Sequence, residues 1–171
     1  LVQHLTVFFK VGNNNNVLLE GGDWNDGIDM ASDLGESATF TAFYAGNLQL
    51  LSEYSAILIE QGIKEIDISS ALKLLFDTCF DLVDYSSPTA KRERLGQYFE
   101  LVSHEINPTK LSIDLKNIQL DLQEKSKWLI EHLQKNEWIE TKRGSWFNGY
   151  YDNLGKRVEG DFPEGIKMTL T

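Results

Sequence analysis

Apolar residues recur at spacings of three and four along much of the chain, which is typical of amphipathic α-helices. Between residues 36 and 62 the positions with this spacing are Phe40, Phe43, Tyr44, Leu48, Leu51, Tyr54 and Leu58. Gly62 follows them, and glycine commonly ends helices because it adopts left-handed backbone conformations without a steric penalty. The pattern therefore predicts a helix over residues 36–62.

Three further helices are predicted from the same spacing, over residues 68–85, 89–105 and 114–136. Ser69 or Ser70 is the predicted N-cap of the first, because a serine side chain accepts a hydrogen bond from a free amide of the first turn. The sequence Ser86-Ser87-Pro88 is predicted to end that helix, and Pro108 separates the second helix from the third.

The two ends of the chain differ from this helical middle. Residues 4–10 fit either a helix end or a short strand, and the asparagine run at residues 13–16 indicates a turn. Aromatic residues precede the Asp-Asn-Leu-Gly sequence at residues 152–155, which predicts a β-hairpin over residues 146–158. The predicted fold class is therefore mainly α: a partial (α/α)6 barrel, or toroid, with a short β-hairpin near the C-terminus. No repeat of fixed period is present, so a solenoid is the lesser alternative.

Composition and charge narrow the function classes. The 171 residues are 42% hydrophobic and 25% charged, which is ordinary for a globular domain with a core of its own. The formal net charge of -10 disfavours nucleic acid or an anionic membrane as a partner, because both attract basic surfaces. No apolar run approaches the roughly 20 residues that span a bilayer.

Neither the cysteine nor the histidines indicate a metal or redox site. Cys79 is the single cysteine, so it cannot form an internal disulfide, and its apolar neighbours favour a buried small hydrophobe over a catalytic thiol. His4, His104 and His132 are scattered and do not have the spacing of metal ligands. We therefore predict no metal and no cofactor.

The strongest chemical signal is the sequence Gly-Asp-Trp-Asn-Asp-Gly at residues 22–27. It places two carboxylates and an indole on one short turn, as in a pocket that holds a sugar ring against an acid. An Asx-rich turn with Trp24 anchored in the core is an equally simple interpretation. A calcium loop of the EF-hand type is not, because the register puts Gly22 and Trp24 at the first and third ligand positions and Asp33 at the twelfth, where a bidentate Glu is needed.

A family resemblance favours the catalytic interpretation. Residues 19–48 read LEGGDWNDGIDMASDLGESATFTAFYAGNL, and SWFNGYYDN at residues 145–153 is followed by GD at 160–161 and KMTLT at 167–171. These segments, in this order, resemble the catalytic domain of the inverting β-glucoside phosphorylases of glycoside hydrolase family 94, formerly glycosyltransferase family 36. The sequence after Gly27 is more similar to the 1,2-β-oligoglucan phosphorylases than to the cellobiose phosphorylases.

The resemblance implies the roles of individual residues. Asp26 matches the family's general acid, and we expect Asp23, Trp24 and Asn25 to bind substrate beside it. Trp146 and Tyr150 are expected to stack on pyranose rings, with cross-strand packing as the alternative. The expected substrates are a β-linked gluco-oligosaccharide and inorganic phosphate. A phosphate site could draw on the basic residues of the tail, although a solvated surface explains most of them: Lys142, Arg143, Lys156, Arg157 and Lys167.

One carboxylic acid is enough for this reaction, because phosphate is already a nucleophile and needs no general base. Asp26 must then hold a proton near neutral pH, which burial or a neighbouring carboxylate such as Asp23 would favour. Two alternatives stay open. An inverting hydrolase would need a second carboxylate roughly 6.5 to 9.5 Å away, with Glu20, Glu36 and Glu164 as candidates. The other alternative is a noncatalytic carbohydrate-binding module.

Domain organisation and cellular context follow from the resemblance. We expect residues 1–171 to be a fragment of one catalytic α/α-barrel domain, since such barrels take several hundred residues. Within it, residues 1–35 form a catalytic loop segment, 36–137 the helices and 138–171 the hairpin region. A cytoplasmic location is expected because the reaction consumes intracellular phosphate, and the full-length enzyme is a possible homo-oligomer.

Overall fold

The computed structural model describes residues 1–21, 29–103 and 109–168. The α-helices in these ranges are α1 (Val2–Phe9), α2 (Ala38–Glu60), α3 (Asp77–Phe80), α4 (Pro88–Ser103) and α5 (Leu115–Asn136). The strands are β1 (Val17–Leu18), β2 (Glu36–Ser37), β3 (Glu65–Ser69), β4 (Lys110–Asp114), β5 (Trp138–Thr141), β6 (Gly144–Phe147), β7 (Tyr150–Tyr151), β8 (Gly160–Phe162) and β9 (Gly165–Lys167). About half of the chain is helical, and the strands form several small antiparallel sheets.

Helices α2 and α5 are the two longest and pack against each other. Each begins at a side-chain cap: Ser37 Oγ accepts the amide of Phe40 at 3.0 Å, and Asp114 Oδ1 accepts the amide of Lys116 at 2.7 Å. Such caps satisfy amides that have no partner within the helix. The helices predicted over residues 36–62 and 114–136 are therefore confirmed to within two residues.

The predictions for residues 4–10, 13–16 and 89–105 are also confirmed in outline. Helix α4 corresponds to the helix predicted over residues 89–105, although its last two predicted residues lie outside the described ranges. Helix α1 decides between the two alternatives for residues 4–10 in favour of a helix. The asparagine run forms the predicted turn, in which Asn15 has a φ of 66° and the amide of Gly12 donates to the carbonyl of Asn16 at 3.0 Å.

The helix predicted over residues 68–85 is wrong. The chain there forms the end of β3, a 3-10 helix (Ser70–Leu74), the short α3 and an irregular segment. Strand β3 pairs antiparallel with β4, so that Ile66 lies opposite Ile113 and Ile68 opposite Leu111. The helical spacing predicted the burial of Leu72, Leu75 and Phe76, but Leu82 is 70% exposed. Strand β3 accounts for only the first two residues of the predicted helix, Ile68 and Ser69. Ser69 does act as a cap, for the 3-10 helix.

The C-terminal region contains more hairpins than predicted. Strands β5 and β6 form one hairpin, and β8 and β9 form another. The predicted turn at residues 152–155 is present: the amide of Gly155 donates to the carbonyl of Asp152 at 2.9 Å, and Tyr151 bridges to Arg157. The strand before this turn, β7, pairs with β2 rather than with a long partner of its own.

The main core lies where α1, α2, α4 and α5 meet. Its buried members include Phe8 of α1, Leu48 of α2, Leu95 of α4 and Leu129 of α5. Cys79 packs against this core while only partly buried, and burial raises the pKa of its thiol. Among the described residues, no helix combines the length and the apolar character that crossing a bilayer requires.

Candidate functional site

The predicted acid, Asp26, and the three predicted substrate-binding residues beside it, Asp23, Trp24 and Asn25, lie outside the described residues. The structure describes the chain before and after this segment. Before it, the amide of Leu19 donates to the carbonyl of Gly35 at 2.9 Å. After it, the chain begins with a 3-10 helix (Asp29–Ala31). Gly35 lies so close to this helix that a Cβ there would overlap the carbonyl oxygen of Ala31. Only glycine fits this close approach.

A three-stranded sheet brings the two segments of the resemblance together. Strand β2 lies in the middle, between β1 and β7. Glu36 lies opposite Leu18 on one side and opposite Tyr151 on the other. The pairing continues beyond β2, since the amide of Ala38 donates to the carbonyl of Gly149 at 2.9 Å. Residues more than 100 positions apart in sequence are thus neighbours at this sheet.

Asn153 adds a second link between the segments. Its Oδ1 accepts hydrogen bonds from the consecutive amides of Asp33, Leu34 and Gly35, at 3.0, 2.8 and 3.1 Å. The backbone amide of Asn153 donates to the carbonyl of Met30 at 2.7 Å. The sequence indicated a turn at this residue but gave no sign of these long-range contacts.

Glu36 is a buried carboxylate, only 1% exposed. It accepts the amide of Asn14 at 3.0 and 3.1 Å, the side-chain amide of Asn14 at 3.0 Å and the amide of Asn16 at 3.0 Å. Burial raises the pKa of Glu36, these hydrogen bonds oppose the rise, and the carboxylate of Glu137 adds to it. A Cβ at Gly12 would overlap the Glu36 side chain, so the turn can pass this closely only with glycine there.

Glu137 is a second buried carboxylate, which the sequence analysis missed. Its partners are the side-chain amides of Asn16 and Asn148, at 2.8 and 3.0 Å, and the hydroxyl of Tyr151, at 2.9 Å. Burial raises the pKa of Tyr151 to about 12, so this phenol remains a donor to the carboxylate at physiological pH. Glu137 directly follows the helix predicted over residues 114–136, and no local pattern indicates its partners.

The two predicted stacking residues have different environments. Tyr150 is 3% exposed and packs with Leu19 and Ala31. Trp146 is half-buried and donates its indole N–H to Glu159 Oε2 at 3.1 Å. It lines a pocket of about 510 Å³ between α2 and the β5–β6 hairpin. Sugar binding by either residue stays a prediction, although the surroundings of Trp146 leave more room for it.

The basic residues of the tail do not converge on one point. Lys142 and Arg143 form the tip of the β5–β6 hairpin, and Lys167 pairs with Glu164 at 2.6 Å. Arg157 donates to the carbonyl of Asn136 and to the hydroxyl of Tyr151. It lines a pocket of about 680 Å³ together with Trp128 and His132.

A cluster of buried charged side chains contacts the asparagine turn (residues 13–16) through Asn15. Lys125 is fully buried and pairs with Asp77 at 2.7 Å and Asp121 at 2.6 Å. Lys91 is also fully buried, and it donates to Asn15 Oδ1 at 3.0 Å with its ammonium 3.9 Å from the centre of the Trp128 ring. Burial lowers the pKa of Lys91 to about 7, against the attraction of Asp77. Within the described ranges, no group of histidine, cysteine and acidic residues could hold a metal ion.

Comparison of the sequence with protein-family models gives no match, and comparison with curated proteins gives no significant match. The resemblance of residues 19–48 and 145–171 therefore depends on the motifs themselves.

Proposed function

We propose that this chain belongs to an inverting carbohydrate phosphorylase that cleaves a β-glucosidic bond with inorganic phosphate. The observation that carries the proposal is the meeting of the two motif segments at the β1–β2–β7 sheet and at Asn153. Segments that build one catalytic site must be neighbours in space, whatever their separation in sequence. Nothing in the helical spacing of the chain required these two segments to meet.

In the proposed reaction, Asp26 donates a proton to the interglycosidic oxygen while a phosphate oxygen attacks the anomeric carbon from the opposite face. The C–O bond to the acceptor sugar breaks, and its electron pair takes the proton from Asp26. The products are α-glucose 1-phosphate, with inverted configuration, and a shortened acceptor. In the synthetic direction, Asp26 accepts the proton of the acceptor hydroxyl.

Among the carboxylates considered for a hydrolase, Glu36 has surroundings that argue against that role. It is 1% exposed and buried under hydrogen bonds from the asparagine turn, which leaves no room beside it for an attacking water. Glu20 and Glu164 form surface ion pairs with Lys10 and Lys167. Such exposed pairs are weak, so the phosphate dependence of the reaction has to decide between phosphorylase and hydrolase for these two.

We also propose that the helices form part of an (α/α)6 barrel. Phe43, Leu50, Tyr54 and Ile57 are exposed and fall on one side of α2, where the neighbouring helices of such a barrel would cover them. A cytoplasmic location is part of the same proposal, because the reaction consumes inorganic phosphate.

The test is incubation of the full-length protein with β-1,2- and β-1,4-linked gluco-oligosaccharides, with and without inorganic phosphate. A phosphorylase releases glucose 1-phosphate only when phosphate is present. Release of free glucose without phosphate would indicate the hydrolase instead. Binding of the oligosaccharides without any cleavage would indicate a noncatalytic module.

A further inference from the structure

A pocket of about 510 Å³ lies between the start of α2, the last turns of α5 and the β5–β6 hairpin. The hairpin register puts Trp146 opposite Ile139, so these two side chains lie on the same face, and Ile139 is buried there. Trp138 and Phe147 lie opposite each other on the other face, with ring centres 4.8 Å apart. Trp146 therefore lines the pocket from the inner face of the hairpin.

The Trp146 side chain is fixed at its polar end. Its indole N–H donates to Glu159 Oε2 at 3.1 Å, and the backbone amide of Gly149 donates to the same oxygen at 3.1 Å. The carbonyl of Gly149 in turn accepts the amide of Ala38, the first residue of α2, at 2.9 Å. A half-buried ring held in this way offers an apolar surface that loses little side-chain freedom when a ligand binds.

A buried acceptor belongs to the same pocket. Asn148 is 1% exposed and lines the pocket, and its side-chain amide donates to Glu137 Oε2 at 3.0 Å. Within the described ranges, no group donates a hydrogen bond to Asn148 Oδ1. A buried carbonyl oxygen without a donor costs free energy, and a ligand hydroxyl that reached it would remove that cost.

The other lining residues limit the class of ligand. Among the described residues that line the pocket, Glu159 is the only charged one, so no cation is available there for a phosphate or a carboxylate. Thr39 and Gln134 add a neutral hydroxyl and a neutral amide. An apolar wall with a few neutral polar groups suits a neutral ligand that has an apolar face and several hydroxyl donors. A pyranose ring has both.

We propose that this pocket binds a β-linked glucosyl unit, with the Trp146 ring against the sugar face and Asn148 Oδ1 as the acceptor of a sugar hydroxyl. The choice of glucose rests on the proposed function, whereas the pocket itself requires only a neutral pyranose. The inference deepens that function by assigning the place and the groups that hold the sugar.

The experiment measures the binding of β-1,2- and β-1,4-linked gluco-oligosaccharides to the full-length protein by isothermal titration calorimetry. Phosphate is left out, so that phosphorolysis cannot occur. Trp146→Ala should raise Kd about tenfold or more, because it removes the ring that contacts the sugar. Trp138→Ala is the matched control, since it removes an indole from the other face of the same hairpin, and its Kd should stay within about twofold of the wild type.

Ala42→Trp tests the same pocket without removing a contact. Ala42 is exposed on α2 and lines the pocket, so a large side chain there should occupy the space of the sugar and raise Kd about tenfold or more. Glu53→Trp is its control, because Glu53 is exposed on the same helix and does not line the pocket. This variant also provides the test if Trp146→Ala does not fold, which circular dichroism checks.

The outcomes separate this inference from the proposed function. Absence of binding by the wild type, or a Kd unchanged in both Trp146→Ala and Ala42→Trp, would overturn the inference. Equal weakening by the two control variants would overturn it as well. Phosphorolysis with the same KM for the oligosaccharide in wild type, Trp146→Ala and Ala42→Trp would reject the pocket but support the proposed function. The expected changes in Kd without any phosphorolysis by the wild type would reject the proposed function alone.

Discussion

The hydroxyl of Tyr151 donates to both carboxylate oxygens of Glu137, at 3.0 Å from Oε1 and 2.9 Å from Oε2. The two residues join β7 to the end of α5, and Asn16 and Asn148 complete the shell around the carboxylate. A buried carboxylate is tolerated only when donors surround it in this way. Asn16, Asn148 and Tyr151 therefore stabilise the fold by supplying the donors that this buried carboxylate needs.

Replacing Tyr151 by Phe should lower the free energy of unfolding by about 1.5 to 3 kcal/mol, the usual contribution of a hydrogen bond to a charged group. Glu137→Leu should cost more, because it leaves the donors of Asn16, Asn148 and Tyr151 without an acceptor. Urea unfolding of both variants measures the difference. A smaller loss in Glu137→Leu than in Tyr151→Phe would contradict the described network.

Lys91 should give stability an alkaline pH dependence. Its folded pKa of about 7 lies below its ordinary value of 10.5, so the unfolded chain binds the proton more tightly. The free energy of unfolding should then rise as pH increases from about 7 to about 10.5, by an amount on the order of 5 kcal/mol. Below pH 7, Lys91 is charged in both the folded and the unfolded protein, so the free-energy cost of burying its charge lowers the stability in full.

Lys91→Met keeps the length of the side chain but cannot titrate, so the difference in unfolding free energy between wild type and variant isolates this effect. The difference should grow in favour of the wild type as the pH is raised. A difference that stays constant from pH 7 to pH 10 would show that Lys91 titrates normally in the folded protein.

Glu36 should act in the opposite sense and at lower pH. Burial raises its folded pKa above the unfolded value, so its protonated form is favoured by folding. That contribution is complete below the unfolded pKa and is lost as the pH rises through the folded pKa. Compared with Glu36→Gln, the wild type should therefore be relatively most stable in acid and should lose part of this advantage towards neutral pH. Chemical unfolding from pH 4 to pH 8 measures the trend, and the opposite trend would mean a lowered pKa.

Asp26→Asn should lower kcat for phosphorolysis of a β-gluco-oligosaccharide by about 10² to 10⁴, because the amide has a similar volume but cannot donate the proton. The loss should be much smaller for a dinitrophenyl β-glucoside, whose leaving group departs without protonation. Circular dichroism checks that the variant is folded. Near-wild-type turnover of the oligosaccharide would exclude Asp26 as the general acid.

Local sequence patterns predicted the features that depend on neighbouring residues, which are the long helices and the asparagine turn. The helical spacing located α2 and α5, although Phe43 and Tyr54 of the predicted α2 stripe are exposed, and the asparagine run marked its turn. The same spacing failed at residues 68–85, where β3 ends at Ser69 and the chain continues through a 3-10 helix and the short α3. The contacts of Asn153 with residues 33–35 and of Glu137 with Asn16 could not be predicted either, since contacts over more than 100 residues leave no trace in neighbouring positions.

The pairing of β3 with β4 has a consequence for the order in which the protein folds. Ser69 and Lys110 lie opposite each other in this ladder, and the chain between them contains α4. Closing so long a loop costs conformational entropy before any ladder bond repays it. Helix α4 packs against the 3-10 helix that directly follows β3, and this contact shortens the loop that remains to be closed. We therefore expect the ladder to form late, after α4 has docked on that 3-10 helix.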